Sequence, residues 1–96
     1  MPKIDIQLPD FGEVIAEVTT EIKERIVRRT PRSNLNKTHA QDQWEAIPAQ
    51  GRIWNDVDYI GFLEDGTSKM SPFHMVRTTM EEVDDIIAEA LRKQTL

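Results

Sequence analysis

One apolar stripe constrains this chain more than any other feature. Phe11, Val14, Ile15, Val18, Ile22 and Ile26 recur at steps of three and four, the spacing that lines one side of a helix. Asp10, with Glu13 three residues on, has the form of a capping box, and Glu13 and Glu17 suit the positive end of the helix dipole. Arg28 and Arg29 suit the other end, and Pro31 disfavours helix at Thr30. These signals predict a helix over about residues 10–29. A helix that is apolar along one side must bury that side, so the rest of the chain has to supply a surface for it.

The remaining patterns predict that surface. Ile4, Ile6 and Leu8 alternate with Lys3, Asp5 and Gln7, the period of a half-buried strand, or of an arm that pairs only with a neighbour. Pro9 ends it. Residues 43–49 and 52–54 read as two strands around a Gln50-Gly51 turn, with Trp44, Ala46 and Pro48 on one face and Glu45 and Ile47 on the other. Pro48 cannot donate to a ladder, which places it at an edge or a strand end. Val57, Tyr59, Gly61 and Leu63 alternate with Asp58, Ile60, Phe62 and Glu64. Apolar residues on both faces predict the most buried strand of the set. Ser71 as a cap and Pro72 at the first helical position start a second long helix. Its stripe is Phe73, Val76, Met80, Val83, Ile87, Ala90 and Leu91, and it ends at about Arg92. The order strand–helix–three strands–helix predicts an α+β fold, an antiparallel sheet of three to four strands packed with two long amphipathic helices. Residues 1–96 form one domain, with a mobile polar loop predicted at about 30–42.

A domain of 96 residues buries only about 60–65% of its unfolded surface and gains from assembling with other subunits. It has no cysteine, which removes disulfides and thiolate metal sites. No apolar run is long enough to span a bilayer, and MPKIDIQLPD lacks the apolar core of a signal peptide, so synthesis in a reducing cytoplasm is expected. The net charge of -5 argues against general nucleic-acid binding, but the charge is uneven. Between residues 23 and 37 stand six bases (Lys23, Arg25, Arg28, Arg29, Arg32, Lys37) and one acid, Glu24. Residues 81–89 hold five acids and no base. Either the acidic strip is a solvated helix face, or the two segments meet when copies assemble.

Catalytic equipment is sparse. His39 and His74 have no partner at metal-ligand spacing. Adjacent carboxylates Glu64 and Asp65 would point to opposite faces of a strand, and Asp65-Gly66 is explained by turn chemistry. Gly66-Thr67-Ser68-Lys69 lacks the glycine run and the Gly-Lys-Ser/Thr order of a phosphate loop. No catalytic, metal or cofactor-binding residue is assigned, and no cofactor is expected. Arg28, Arg29, Arg32 and Lys37 are candidates for facing DNA phosphates, without interleaved aromatics for base stacking. Trp44, Trp54, Tyr59 and Phe62 cluster in the strand region, at least two of them as sheet core and the rest as anchors for a subunit contact.

One segment, residues 59–73, reads YIGFLEDGTSKMSPF. Tyr59, Phe62-Leu63-Glu64 and Gly66-Thr67-Ser68-Lys69-Met70, followed by Pro72-Phe73 and a helix, resemble the small tail-component family of long-tailed bacteriophages. Thr30-Pro31 after the first helix matches that family's Thr-Pro loop. The chain departs from the pattern at Asp65, where the family carries an aromatic, and in residues 32–38. The resemblance implies a structural virion protein, a tail terminator or a tail-completion or neck protein. Such proteins form rings, commonly hexameric, at the head–tail junction or the head-proximal end of the tail. Its partners would be other copies of itself and the neighbouring neck and tail-tube proteins. Phage DNA would pass through the ring without sequence-specific binding, and no membrane would be involved. It would be made and assembled in the host cytoplasm and end in the virion. Within this reading Tyr59, Phe62, Leu63, Gly66, Pro72 and Phe73 build the fold. Glu64, Asp65, Thr67, Ser68, Lys69 and Met70 form an exposed tip, and with Arg29, Arg32 and Lys37 they are the interface candidates. The alternative is a small DNA-associated or regulatory module using the basic 23–37 segment.

Overall fold

The computed structural model describes residues 3–31 and 40–94. The fold is α+β. A three-stranded antiparallel sheet, in the order β1-β3-β2, is built from β1 (Ile4–Gln7), β2 (Glu45–Ile47) and β3 (Arg52–Asn55). Four helices join it: α1 (Ile15–Arg29), α2 (Ile60–Asp65), α3 (Met75–Met80) and α4 (Val83–Gln94).

The stripe of α1 is the axis of the core. Val14, Val18, Ile22 and Ile26 are all buried, four-residue steps that stack on one side. Burying each such side chain contributes about 1.5–3 kcal/mol. Helix α1 packs on β2, β3, α3 and α4, and Leu8, Trp44, Ile53, Ile60, Met75, Ile86 and Ala90 close around it. The helix ends where Pro31 requires: Thr30 is extended, with ψ 124°. Its start differs from a capping box. Asp10 Oδ1 accepts the Gly12 amide at 2.7 Å, a two-residue turn, and a short 3-10 turn over Gly12–Val14 leads into α1.

Strand β1 lies within its own chain's sheet, with Ile4 opposite Asn55 and Ile6 opposite Ile53. Ala46 of β2 faces Ile53 from the other side. Because side chains alternate across a strand, this register puts Ile4, Ile6, Ala46, Ile53 and Asn55 on the core side. Asp5, Gln7, Glu45, Ile47, Arg52 and Trp54 share the outer side, where each is exposed or half-buried. There Arg52 chelates Asp5 with two bonds of 3.1 Å and lies 4.6 Å over the Trp54 ring. Strand β2 is an edge strand that ends at Ile47, with Pro48 opening a 3-10 turn over Pro48–Gln50, and Gly51 turns the chain into β3 at φ +68°.

Two expected elements are different. The strand expected over residues 57–64 is helix α2. Asn55, fully buried, accepts the Val57 amide on its side-chain oxygen at 2.9 Å and donates to Ala40 O at 3.1 Å. That ends β3, and the amides of Ile60 and Phe62 then bond back to Val57 O and Tyr59 O. A short run with apolar residues on both faces satisfies either period. Here Ile60 buries completely and Phe62 points outward. The long C-terminal helix is likewise two helices. Ser71 and Pro72 are exposed and non-helical, and the chain turns at Glu81 and Glu82 between α3 and α4.

The expected loop at about 30–42 ends in a 3-10 turn over Ala40–Gln43, with Ala40 buried. Its residues 32–39, including Arg32, Lys37 and His39, lie outside the described residues.

Candidate assembly surface

The joint of residues 59–73 is held by its backbone. The amides of Phe73 and His74 donate to Leu63 O at 2.8 Å and Glu64 O at 3.1 Å, closing the C-terminal end of α2. Thr67 and Met70 bond each other's backbones in a tight turn. Gly66 leads into that turn at φ +78°, ψ 178°, a combination that essentially only glycine adopts. A Cβ there would also meet Met70 O and Pro72 N at 2.8 Å.

Glu64 is corrected by this geometry. It is not part of the exposed tip. Its two carboxylate oxygens accept the Val76 amide at 2.8 Å and the Arg77 amide at 3.0 Å, satisfying first-turn donors of α3 that no residue of that helix can reach. The residue at the cap position, His74, is left-handed at φ 49° and provides no side-chain cap. So a carboxylate twelve residues upstream of Val76 performs the capping, and it welds α2 to α3. Nothing in the local sequence marks Glu64 for that role.

Asp65, Thr67, Ser68 and Lys69 are exposed as expected of the tip, whereas Met70 is half-buried. The aromatics differ from expectation too. Phe62 is 60% exposed and Phe73 47% exposed, so these two are surface rather than core. Pro72 is exposed as well. Tyr59 and Leu63 are half-buried and pack against the core. The joint therefore presents two phenylalanines and a polar turn on a hydrogen-bonded backbone frame.

The basic and acidic segments meet within one chain. Arg29 grips Glu82 with both ends of its guanidinium, at 2.7 and 2.9 Å, and donates to Thr79 Oγ1 at 2.7 Å. Arg25 joins Glu82 at 3.2 Å and Glu21 at 2.9 Å. The Arg29 hydrogen bonds, opposed by partial desolvation and reinforced by Arg25, hold the Glu82 carboxyl down to about 2. Planar, two-pronged pairing of this kind is the strongest geometry open to an arginine and a carboxylate. Glu82 sits at the α3–α4 turn, so the cluster pins that turn to the end of α1. Arg29, expected as an interface or DNA-facing residue, is thereby engaged inside the protein. Arg28 remains exposed and reaches Glu21 only at 3.8 Å.

Among the described residues no group of three or more His, Cys, Asp or Glu is placed to hold a metal ion. No described helix is long and apolar enough to cross a membrane. The grooves are open and shallow. One of about 410 Å³ separates α1 from α4, and one of about 540 Å³ runs between α1 and β2. Compared with protein-family models, with curated proteins and with solved structures, the chain matches none.

Proposed function

We propose that this chain is a structural virion protein of a tailed phage, forming or completing a ring at the head–tail junction or the head-proximal end of the tail. The observation that carries the reading is the joint of residues 59–73. The motif that resembles the phage tail-component family folds into a glycine-dependent, hydrogen-bonded turn flanked by two exposed phenylalanines. Exposed aromatics beside polar residues are the composition of contact anchors. A small domain with its polar groups spent on capping and internal ion pairs is suited to being placed rather than to turnover. The ring is built from copies of this chain, and its partners are the adjacent neck and tail-tube proteins. DNA passes through without being read, and the protein's place is the virion.

Electron microscopy of phage particles lacking this protein tests the reading. Tailless heads with free tails support a joining role, and overlong tails support a terminator. Complete, infectious particles overturn both. The DNA-associated reading has less to stand on, since Arg25 and Arg29 are bound to Glu82.

A further inference from the structure

Closed rings of identical subunits need two different surfaces on each copy, one fitting the other. The joint supplies apolar anchors, but a second pair of surfaces on this chain matches in charge and length. The groove between α1 and β2 has a floor of Val27, Ala46 and Pro48 and a rim carrying Lys23 and Arg28. Glu24 is the one carboxylate that lines it. Lys23 pairs with no carboxylate among the described residues, and Arg28 is held only loosely by Glu21.

The complementary ridge is on α4. Asp84, Ile87, Ala88 and Leu91 follow at steps of three, one and three, and so share one side of the helix. Leu91 is 49% exposed, a large apolar side chain standing in solvent, and Ala88 beside it is exposed as well. Asp84 and Asp85 are exposed and pair with no cation among the described residues. From Asp84 to Leu91 the ridge runs about 10 Å, and from Thr20 to Arg28 the groove wall runs about 12 Å.

We infer that the α4 ridge of one copy lies in the α1–β2 groove of the next, antiparallel to α1, so that Asp84 at its start and Asp85 at its edge face the basic rim that Arg28 and Lys23 form. Ile87 and Ala88 then cover Val27, and Leu91 lies along Thr20 and the aliphatic stem of Lys23. The contact is heterologous, groove to ridge, so each copy offers both halves. This inference rests on the ring-forming reading and names the surfaces that would close the ring.

Charge reversal in pairs tests it, read by sedimentation equilibrium of the full chain at low salt. D84K/D85K makes ridge and groove both basic, and K23E/R28E makes both acidic. Each variant alone is expected to self-associate about tenfold or more weakly than the parent. An equimolar mixture is expected to regain association, because each variant's ridge then meets the other's groove. The substituted side chains lie on the surface or are half-buried, and matching thermal melts establish that both variants are folded. A parent that stays monomeric at all concentrations overturns the contact, as does association untouched by either reversal, or a mixture no better than its parts. Binding of tail-tube protein, measured in parallel, separates the two readings. A chain that caps tubes without self-association loses this contact but keeps the proposed function. A chain that associates as described yet binds no tail or neck protein keeps the contact and loses the function.

Discussion

Along α1 and the turn that leads into it, Val14, Val18, Ile22 and Ile26 disappear into the core. In the joint of residues 59–73, two phenylalanines stand in solvent while the backbone holds the shape. Helix α1 is specified by what it buries. The joint is specified by hydrogen bonds and by one glycine, which frees its large side chains for contact with something else. The same residue types thus have different meanings in the two regions. An isoleucine in α1 is structure, and a phenylalanine in the joint is surface.

That contrast is open to measurement. The largest effect is expected from Ile22→Ala, at a fully buried position, which should lower stability in urea unfolding by about 2–5 kcal/mol. Phe62→Ala, the matching truncation in the joint, should stay within about 0.5 kcal/mol. Equal losses for the two would break the comparison. Gly66→Ala should cost about 1–3 kcal/mol from backbone strain, with more if the turn cannot move away from the new methyl group. Its damage should be local, visible as faster amide exchange in residues 66–73 rather than in α1.

Glu64→Ala should cost about 0.5–2 kcal/mol, the range for loss of a helix cap. The amides of Val76 and Arg77 should be the first to lose protection. Glu64→Gln, which keeps one acceptor oxygen, should cost less. If both substitutions are silent, the weld between α2 and α3 is unimportant.

The Glu82 cluster sets a pH dependence. Its folded value of about 2 lies below the value of about 4.3 expected when unfolded. The unfolded chain therefore takes up the proton first as the medium acidifies. The stabilisation is complete above about pH 5 and fades as the pH falls towards 2. Thermal melts of the parent and of Glu82→Gln should run furthest apart near neutrality and converge in acid. Curves that stay parallel down to pH 2 would show that the ion pairs add nothing. The smallest stability effect belongs to Phe62→Ala, whose expected consequence is loss of partner binding.

How much of this was legible in the sequence follows the same division. Helix α1 could be read because a long stripe at one period has few alternative explanations, and its end could be read from Pro31. The three strands could be read from their alternation, with Pro48 at a strand end, one of the two places it could take. Residues 57–64 misled because an apolar run this short satisfies both periods, and the deciding group, the Asn55 side chain, acts through two hydrogen bonds that leave no trace in periodicity. Ser71-Pro72 is a sound helix start in isolation. Here the amides of Phe73 and His74 are drawn back to α2, which delays the helix to Met75. Among the site residues, the turn chemistry of Gly66 announced an exposed tip at Thr67, Ser68 and Lys69. Capping by Glu64 and the grip of Arg29 on Glu82 join residues 12 and 53 positions apart, and no local pattern encodes such pairs.

The two tryptophans occupy opposite sides of the sheet. Trp44 is buried, its indole N–H donated to Thr30 Oγ1 at 2.9 Å, while Trp54 lies half-exposed beneath Arg52 on the outer side. The protein therefore contains two natural optical reporters, one for the interior and one for the outer side of the sheet. A soluble quencher such as iodide reaches Trp54 and leaves Trp44 bright. A binding partner that settles on the outer side of the sheet protects Trp54, and one that docks at the joint or at α4 changes neither. Emission quenching alone thus tells which side of this small domain its neighbours occupy, with no label attached.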